Sequence, residues 1–565
     1  MGSNGIRFSI TDLSPPTARI LPTLYTDRAP ISLYDAQYDH TGARIPIPAS
    51  TISAVLTALL AFKRTCADYS VPASHISILA TEATRTALNS VAYREAIQDA
   101  TGWAVTLLAK EDEGRTGAMG VASSLESVHG LMMDLGGGST QLTWLLRDAD
   151  GGIAMPAAGA VSLPFGAAAL TKRLEACDSS KGEGEGRAAF AADLQAQLRT
   201  AYASLAVPAQ LEEAAEREEG FTLYLSGGGF RGWGFILLSQ HAVQPYPIPV
   251  INGFRAPTSA FLATEGVEMA AEMSLDEQTA EAIFRVSQRR ASQVPAVAFL
   301  VTALSKALPR VKEVRFCQGG VREGYLFASL PREVQAQSPL EVATRPYAPH
   351  PESAARIYDV FCAALPAAKS GHGGRAAEYN AREFLSDAVR KALANLLTTH
   401  STHPKDLRAA SALRSTTTGL LAPVHGLAHE DRAALALLLC ERWGGEKALP
   451  PADVPFFQSL QALFGPWERW WIGYLGRVAG LVGAVAPAGR LEEGEVEVVA
   501  GWGRGKKGER VEVRVGFGEV GAEEVFRGEV EKVEKVGKRK NWVGGREGAG
   551  WRVEVEVGVG VGRVA

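Results

Sequence analysis

The chain has 565 residues, a formal net charge of −4, 46% hydrophobic residues and 21% charged ones. That length exceeds what a single hydrophobic core serves, so several domains are expected, and the composition is that of a folded soluble protein. The near-balanced charge gives no electrostatic case for nucleic acid or an anionic membrane surface, so any anion has to be handled locally.

Five cysteines (Cys66, Cys177, Cys317, Cys362, Cys440) are scattered without C-x-x-C spacing. This argues against a disulfide framework or zinc knuckle and for a reducing, cytoplasmic compartment. No apolar signal segment opens the chain, and the most apolar late window, 475–488, carries Arg477 and is too short to span a bilayer.

In chain order, Gly2-Ser3-Asn4-Gly5 runs into the alternating Ile6, Phe8 and Ile10, a turn followed by a strand. The first residue already sits in that turn, so a strand carrying an Asp is expected one residue before Met1, and the start reads as truncated. Ser50 or Thr51 is placed to cap a helix through about Ala67. The strand Ile76–Ala80 feeds Thr81-Glu82-Ala83-Thr84-Arg85, where Arg85 lies on a first helical turn. It is either a solvated arginine or a partner for an anion at the helix start. The strand Val105–Leu108 ends in Lys110-Glu111-Asp112-Glu113, carboxylates that either compensate a helix dipole or supply a general base.

The segment Leu131–Leu146, LMMDLGGGSTQLTWLL, is an apolar strand ending in Asp134, a turn of Gly136, Gly137, Gly138, Ser139 and Thr140, and a second strand. Glycines let successive N–H groups point into one concavity, hydroxyls add donors, and an Asp at a strand end is placed to hold a divalent cation. Phosphate is the natural guest; a glycine-rich hairpin is the bland alternative. The device recurs at FTLYLSGGGFRGWG, where a strand meets Ser226, Gly227, Gly228 and Gly229.

Ser162-Leu163-Pro164-Phe165-Gly166 reads as a rigid turn into a helix, 178–187 as a flexible surface insertion and 188–219 as helical. Amphipathic helices are expected over 256–308, then a strand from Val314 and Gly319-Gly320. Prolines at 331–351 mark a boundary, and 352–488 is helical in pattern. His425 and His429 share a helix face if their segment is helical; with Gly426 between them, a structural role is preferred over a metal site. The tail, 489–565, alternates Val and Glu between Gly, Lys and Arg clusters, as short antiparallel strands do.

The words GSNGIRFSI, ATEATRTALN, EDEGRTGAMGV, MDLGGGSTQ, SLPFG, SGGGFRG and GVREG, in this order over about 1–330, resemble the exopolyphosphatase and guanosine pentaphosphate phosphatase (Ppx/GppA) family. HGLAHEDRAALALLLCERWGG and the β-rich tail are similar to its fungal retrograde-signalling branch, which reports mitochondrial state to the nucleus. The resemblance implies an α/β, actin-like ATPase (ribonuclease H-like) duplication, with subdomains at 1–130 and 131–338. A helical HD-like domain at 345–488, without an evident His-Asp metal pair, and a β-rich region at 489–565 follow.

It also implies roles. Glu113 matches the carboxylate that orients or deprotonates the attacking water, and Asp134 the one that positions Mg²⁺. Gly2, Ser3, Asn4 and Gly136 to Thr140 match the two phosphate loops, Arg85 the phosphate-facing arginine, and Ser226 to Gly229 a third loop. Glu111 and Asp112 are expected to raise the pKa of Glu113 by like-charge repulsion.

Gln141 stands where the bacterial enzymes carry Glu. With the missing first Asp, this favours a regulatory phosphate or nucleotide sensor in which ligand closes a cleft and alters a surface read by a protein partner. A working Mg²⁺-dependent exopolyphosphatase or nucleotide phosphohydrolase is the alternative, and a scaffold with a vacant cleft the third. The ligand is then polyphosphate or a nucleotide, with no role for nucleic acid or membrane and with room for a homodimer.

Overall fold

The computed structural model describes residues 1–2, 5–148, 150–179, 183–275, 283–367, 380–505 and 508–559. The chain divides into two compact units, Met1–His241 with Val250–Gln337, and Ala242–Pro249 with Ser338–Ala565. Among the described residues no helix is long and apolar enough to cross a membrane.

The first unit lays down one order of elements twice. The first pass has β1 (Ile6–Thr11) antiparallel to β2 (Thr23–Ala29) and a helix at Ala49–Asp68. The strand β3 (Ile78–Ala80) leads into helices Glu82–Arg85 and Ser90–Thr101 and lies parallel to β4 (Val105–Leu107), which feeds the helix Lys110–Ser123. The second pass has β5 (His129–Leu135) antiparallel to β6 (Thr140–Arg147), then β7 (Ile153–Ala154) and β8 (Val161–Leu163). Helices lead to β9 (Phe221–Ser226) and the helix Gly227–Ser239. Finally β10 (Arg255–Pro257) and further helices precede β11 (Val311–Phe316) and the helix Val321–Ala328.

The second pass is a single sheet ordered β10-β11-β9-β5-β6-β7, with β8 on β6. Its centre, β5, β9 and β11, is parallel, and β9 (FTLYLS) is buried at every position. Helices cover both faces of such a sheet, so its strands read as unbroken apolar runs rather than alternation.

The first pass stays in two two-stranded pieces, β1–β2 and β3–β4. Met1 lies along β3: its carbonyl accepts the Thr81 N–H (3.3 Å) and its amino group donates to the Leu79 carbonyl. Ile6, Leu33, Ile47, Val55, Leu59, Phe62, Tyr93 and Ile97 belong to one core cluster, with Phe8 stacked on Phe62 at 4.4 Å.

The two passes meet where their closing helices, Lys110–Ser123 and Val321–Ala328, cross at glycines. A Cβ at Gly120 would lie 2.2 Å from the Gly320 carbonyl oxygen, and one at Gly324 would lie 1.7 Å from that of Thr116. Only backbone fits there.

In the second unit the helix His429–Arg442 is buried from Ala433 to Cys440 and packs on the helix Pro466–Val485. A three-stranded sheet follows, β12 (Val496–Gly505) antiparallel to β13 (Gly508–Phe517), with β14 (Arg552–Val559) parallel to β13.

Several sequence expectations change. The tail is not strands alone, since the helix Arg527–Val536 lies between β13 and β14 and buries Val530 and Val533. The expected insertion at 178–187 is largely helical: 180–182 lie outside the described residues, and a helix spans Glu183–Ser204. The first helix starts at Ala49 after Pro48, with no side-chain cap from Ser50 or Thr51. His425 and His429 do not share a helix, because Gly426 has φ +100° and the helix begins at His429.

Candidate functional site

The loop between β5 and β6 is held from behind. The N–H groups of Gly166 and Ala167 donate to the carbonyls of Gly138 (3.1 Å) and Gly136 (2.9 Å), and those of Ala168 and Ala169 to Gly137 (3.0 and 3.2 Å). The loop thus caps the helix Ala167–Asp178, its carbonyls satisfying N–H groups that a helix start leaves over. Gly166 permits this approach, since a Cβ there would lie 2.3 Å from the Gly137 carbonyl carbon. Thr140 donates its buried hydroxyl to the Phe165 carbonyl (2.7 Å), so its side chain braces the loop. The Gln141 amide donates to the Ser139 hydroxyl (2.9 Å), which leaves the Ser139 proton for a guest.

Asp134 ends β5 beside this loop. Burial raises its pKa, opposed by hydrogen bonding from Ser226 and by the Arg7 guanidinium. The Ser226 hydroxyl, at the end of β9, also lies 2.8 Å from the Gly319 carbonyl, so its single proton is shared between that carbonyl and Asp134. Gly227 to Gly229 are not a free loop but the first turn of the helix Gly227–Ser239. A Cβ at Gly227 (φ +92°) would lie 2.3 Å from the Leu135 carbonyl oxygen, whereas one at Gly228 meets nothing within 4 Å. Glycine is therefore needed for packing at Gly227, and the open helix start lies at Gly228.

The first pass contributes Glu113 and Arg85. Arg85 Nη2 lies 3.1 Å from Glu113 Oε2, and its other terminal nitrogen donates to the Leu108 carbonyl. Burial raises the Glu113 pKa, Arg85 opposes it, and the charges of Asp134 and Glu82 add to the rise. Glu111 and Asp112, expected to be the perturbers, are exposed, because consecutive helix positions face different ways. Glu82 was not anticipated; its Oε2 lies 2.8 Å from where a Gly138 Cβ would stand, so it reaches the loop of the other pass. The only sequence signal was an acid three residues before Arg85, on the same helical turn.

Gly2 donates its N–H to the Gly5 carbonyl (3.2 Å) in an isolated bridge, while Ser3 and Asn4 lie outside the described residues. The unforeseen feature nearby is a convergence of arginines. Arg7 on β1 stands directly opposite Arg28 on β2, and Arg28 covers the backbone of Gly5. Like charges paired across strands destabilise a sheet unless something neutralises them. Desolvation lowers the Arg7 pKa, and Arg322 and Arg28 add to this against Glu323 and Asp134. Arg231 is pulled down to about 10 by burial and then by Arg7, Arg290 and Arg285, and Arg290 is lowered by burial, Arg28 and Arg7. Glu323 is engaged by Arg322. Among the described residues, guanidiniums outnumber carboxylates here, as an anion site requires.

The donor set suits Mg²⁺ in one respect: Asp134 is an oxygen ligand beside a phosphate-type loop, and Mg²⁺ is commonly held by one or two carboxylates plus substrate phosphates. Among the described residues no three His, Cys, Asp or Glu side chains form a metal cage by themselves.

Comparison with known proteins yields the following. The profile of the Ppx/GppA phosphatase family matches residues 12–215, and that of the RTG2 C-terminal domain residues 338–560. Retrograde regulation protein 2 of Saccharomyces cerevisiae is 36% identical over 503 residues, covering 87% of this chain and 81% of that protein. A crystal structure of the Aquifex aeolicus Ppx/GppA phosphatase, type II variant, is 20% identical, with a TM-score of 0.42, covering 59% of this chain and 97% of that one. An exopolyphosphatase from Cytophaga hutchinsonii is 18% identical, with a TM-score of 0.43, covering 59% of this chain and 97% of that one.

Proposed function

We propose that this chain, which belongs to the Ppx/GppA phosphatase family in its retrograde-regulation-protein branch, is a regulatory protein that binds polyphosphate or a nucleotide phosphate and signals mitochondrial state to the nucleus. The observation that carries the binding half of this reading is the convergence of Arg7, Arg231 and Arg290, with the Arg7 charge acting on Asp134 at the end of β5. A polyanion there satisfies loop N–H groups and neutralises guanidiniums at once. The signalling half rests on the likeness to retrograde regulation protein 2.

In this reading Asp134 holds Mg²⁺, which when bound neutralises charge on the phosphoryl oxygens. Ser139 and the start of the helix at Gly228 donate to phosphate oxygens, and Arg7 draws the chain of phosphates in. The region 345–488 is taken as HD-like, 489–565 as a C-terminal region with a β-sheet, and the protein as cytoplasmic, acting through a protein partner and with room to form a homodimer.

Hydrolysis is the second reading, favoured by Glu113. A carboxylate with a raised pKa beside the phosphate loop is suited to accept a proton from water. In the structure its Oε2 is engaged by Arg85, so a ligand phosphate that takes Arg85 for itself would release the base. Electrostatic stabilisation and an in-line water suffice for phosphoanhydride cleavage.

The test is binding and phosphate release measured with polyphosphate, guanosine pentaphosphate and ATP, each with and without Mg²⁺, beside Glu113→Gln. Binding without release supports the regulatory reading. Release abolished by Glu113→Gln supports the hydrolase, and failure to bind any of the three overturns both.

A further inference from the structure

The second unit contains an open cavity of about 520 Å³, lined among others by His400, His403, Ser411, Arg414, Ser415 and Thr418. Its size is that of a small-molecule site. His400 forms part of the wall and is 1% exposed; its Nε2 is hydrogen-bonded to the Ser415 hydroxyl at 2.8 Å. The Nδ1 atoms of His400 and His403 are buried without a hydrogen-bond partner, and the two rings lie 5.7 Å apart. Those two atoms are closed off from solvent; the part-exposed polar residues of the lining are His403, Ser411 and Arg414, beside the exposed Thr418.

The lining chooses the guest's charge. It holds no carboxylate. The nearby Asp453 is engaged by Arg414 (2.8 Å), whose guanidinium also lies 4.0 Å from the Phe456 ring centre. Arg408 donates to the carbonyls of Ser401 and His403 behind the wall, and the field of Arg442 reaches His400. A cation finds no counter-charge there, and a purely apolar guest would leave imidazole and hydroxyl groups desolvated. A guest bearing acceptor oxygens suits the hydroxyls at Ser411 and Thr418, the part-exposed His403 ring and the Arg414 field.

We propose that this cavity binds a small anionic metabolite through a carboxylate or phosphate group. The site lies wholly within the second unit, and the proposal does not depend on the phosphate reading of the first.

The full-length chain is titrated calorimetrically with succinate, inorganic phosphate and, as uncharged control, succinamide. The measurements are repeated on His403→Gln, Thr418→Ala and Arg7→Ala. At least one anion is expected to bind and raise the melting temperature, with succinamide silent. His403→Gln and Thr418→Ala are expected to weaken binding about tenfold or more while Arg7→Ala leaves it unchanged. Succinate or phosphate binding alone identifies which oxyanion is recognised. Binding of neither anion, equal binding of succinamide, or loss confined to Arg7→Ala overturns the proposal. Thr418 is exposed, so its variant folds even if His403→Gln does not.

Discussion

The two passes of the first unit have the same element order but different integrity. In the second pass β5 pairs with both β6 and β9, and one sheet carries Asp134, the glycine loop and Ser226 on a continuous frame. In the first pass β1–β2 and β3–β4 are separate two-stranded pieces, and Met1 bonds alongside β3. The lesson is a division of labour. The rigid pass, one continuous sheet, supplies the loop backbone and the Asp134 carboxylate. The broken pass supplies long side chains, of which Arg7 and Glu113 bear electrostatically on Asp134 of the other pass.

The largest expected effect is at the joint between the passes. Gly324→Val forces a side chain onto the Thr116 carbonyl, where even a Cβ would stand at 1.7 Å. Overpacking against backbone that cannot move is expected to cost about 3 kcal/mol or more, measured by chemical denaturation. A wild-type midpoint would mean that the two closing helices are not held together as described.

Next comes Arg7→Ala. If long side chains of the broken pass draw the anion in, this change weakens polyphosphate binding by about 10- to 100-fold and flattens its salt dependence, with little loss of stability. Unchanged affinity would assign binding to the rigid loop alone.

Asp134→Asn probes the rigid pass. Burial raises the Asp134 pKa, so the native state holds this proton to higher pH than the unfolded chain does. The sign follows: relative to the unfolded chain, stability falls as pH rises from the ordinary carboxylate pKa through the raised folded value. Asparagine removes that loss. The variant is expected to be about 1 kcal/mol more stable at neutral pH without Mg²⁺, with a flatter pH dependence, and to lose Mg²⁺-linked binding. A destabilised variant would mean that Arg7 and Ser226 outweigh burial.

Parts of this arrangement were legible because their causes are local. Asp134 followed by three glycines announces a strand end and a tight turn whatever lies elsewhere. The arginine convergence was not, because Arg7, Arg28, Arg231 and Arg290 sit on separate elements and meet only through tertiary structure. Arg7 was nevertheless visible as a charged residue beside the first glycine turn, and SLPFG as a turn, though not as the clamp that Gly166 provides. In the tail, EVEKVEKV spaces its valines three apart, a helical period set between segments that alternate every second residue. The helix won because Val530 and Val533, three apart, fall on one buried face.

The smallest expected effect is the most diagnostic for the choice between sensor and enzyme. Gln141 is 7% exposed, and its amide donates to the Ser139 hydroxyl and sits 3.4 Å from that of Ser162. As long as Gln141 donates, Ser139 is free to give its own proton to a phosphate oxygen. Gln141→Glu reverses the bond, because a carboxylate only accepts, and the Ser139 proton turns inward. Loss of one charge-assisted hydrogen bond is expected to weaken phosphate binding about three- to tenfold, measured by calorimetry, with the denaturation midpoint nearly unchanged. If phosphate release rises instead, the glutamine is what holds this chain to binding. If neither binding nor release moves, the loop recognises its guest through backbone N–H groups alone, and the rigid pass contributes no side-chain donor at Ser139.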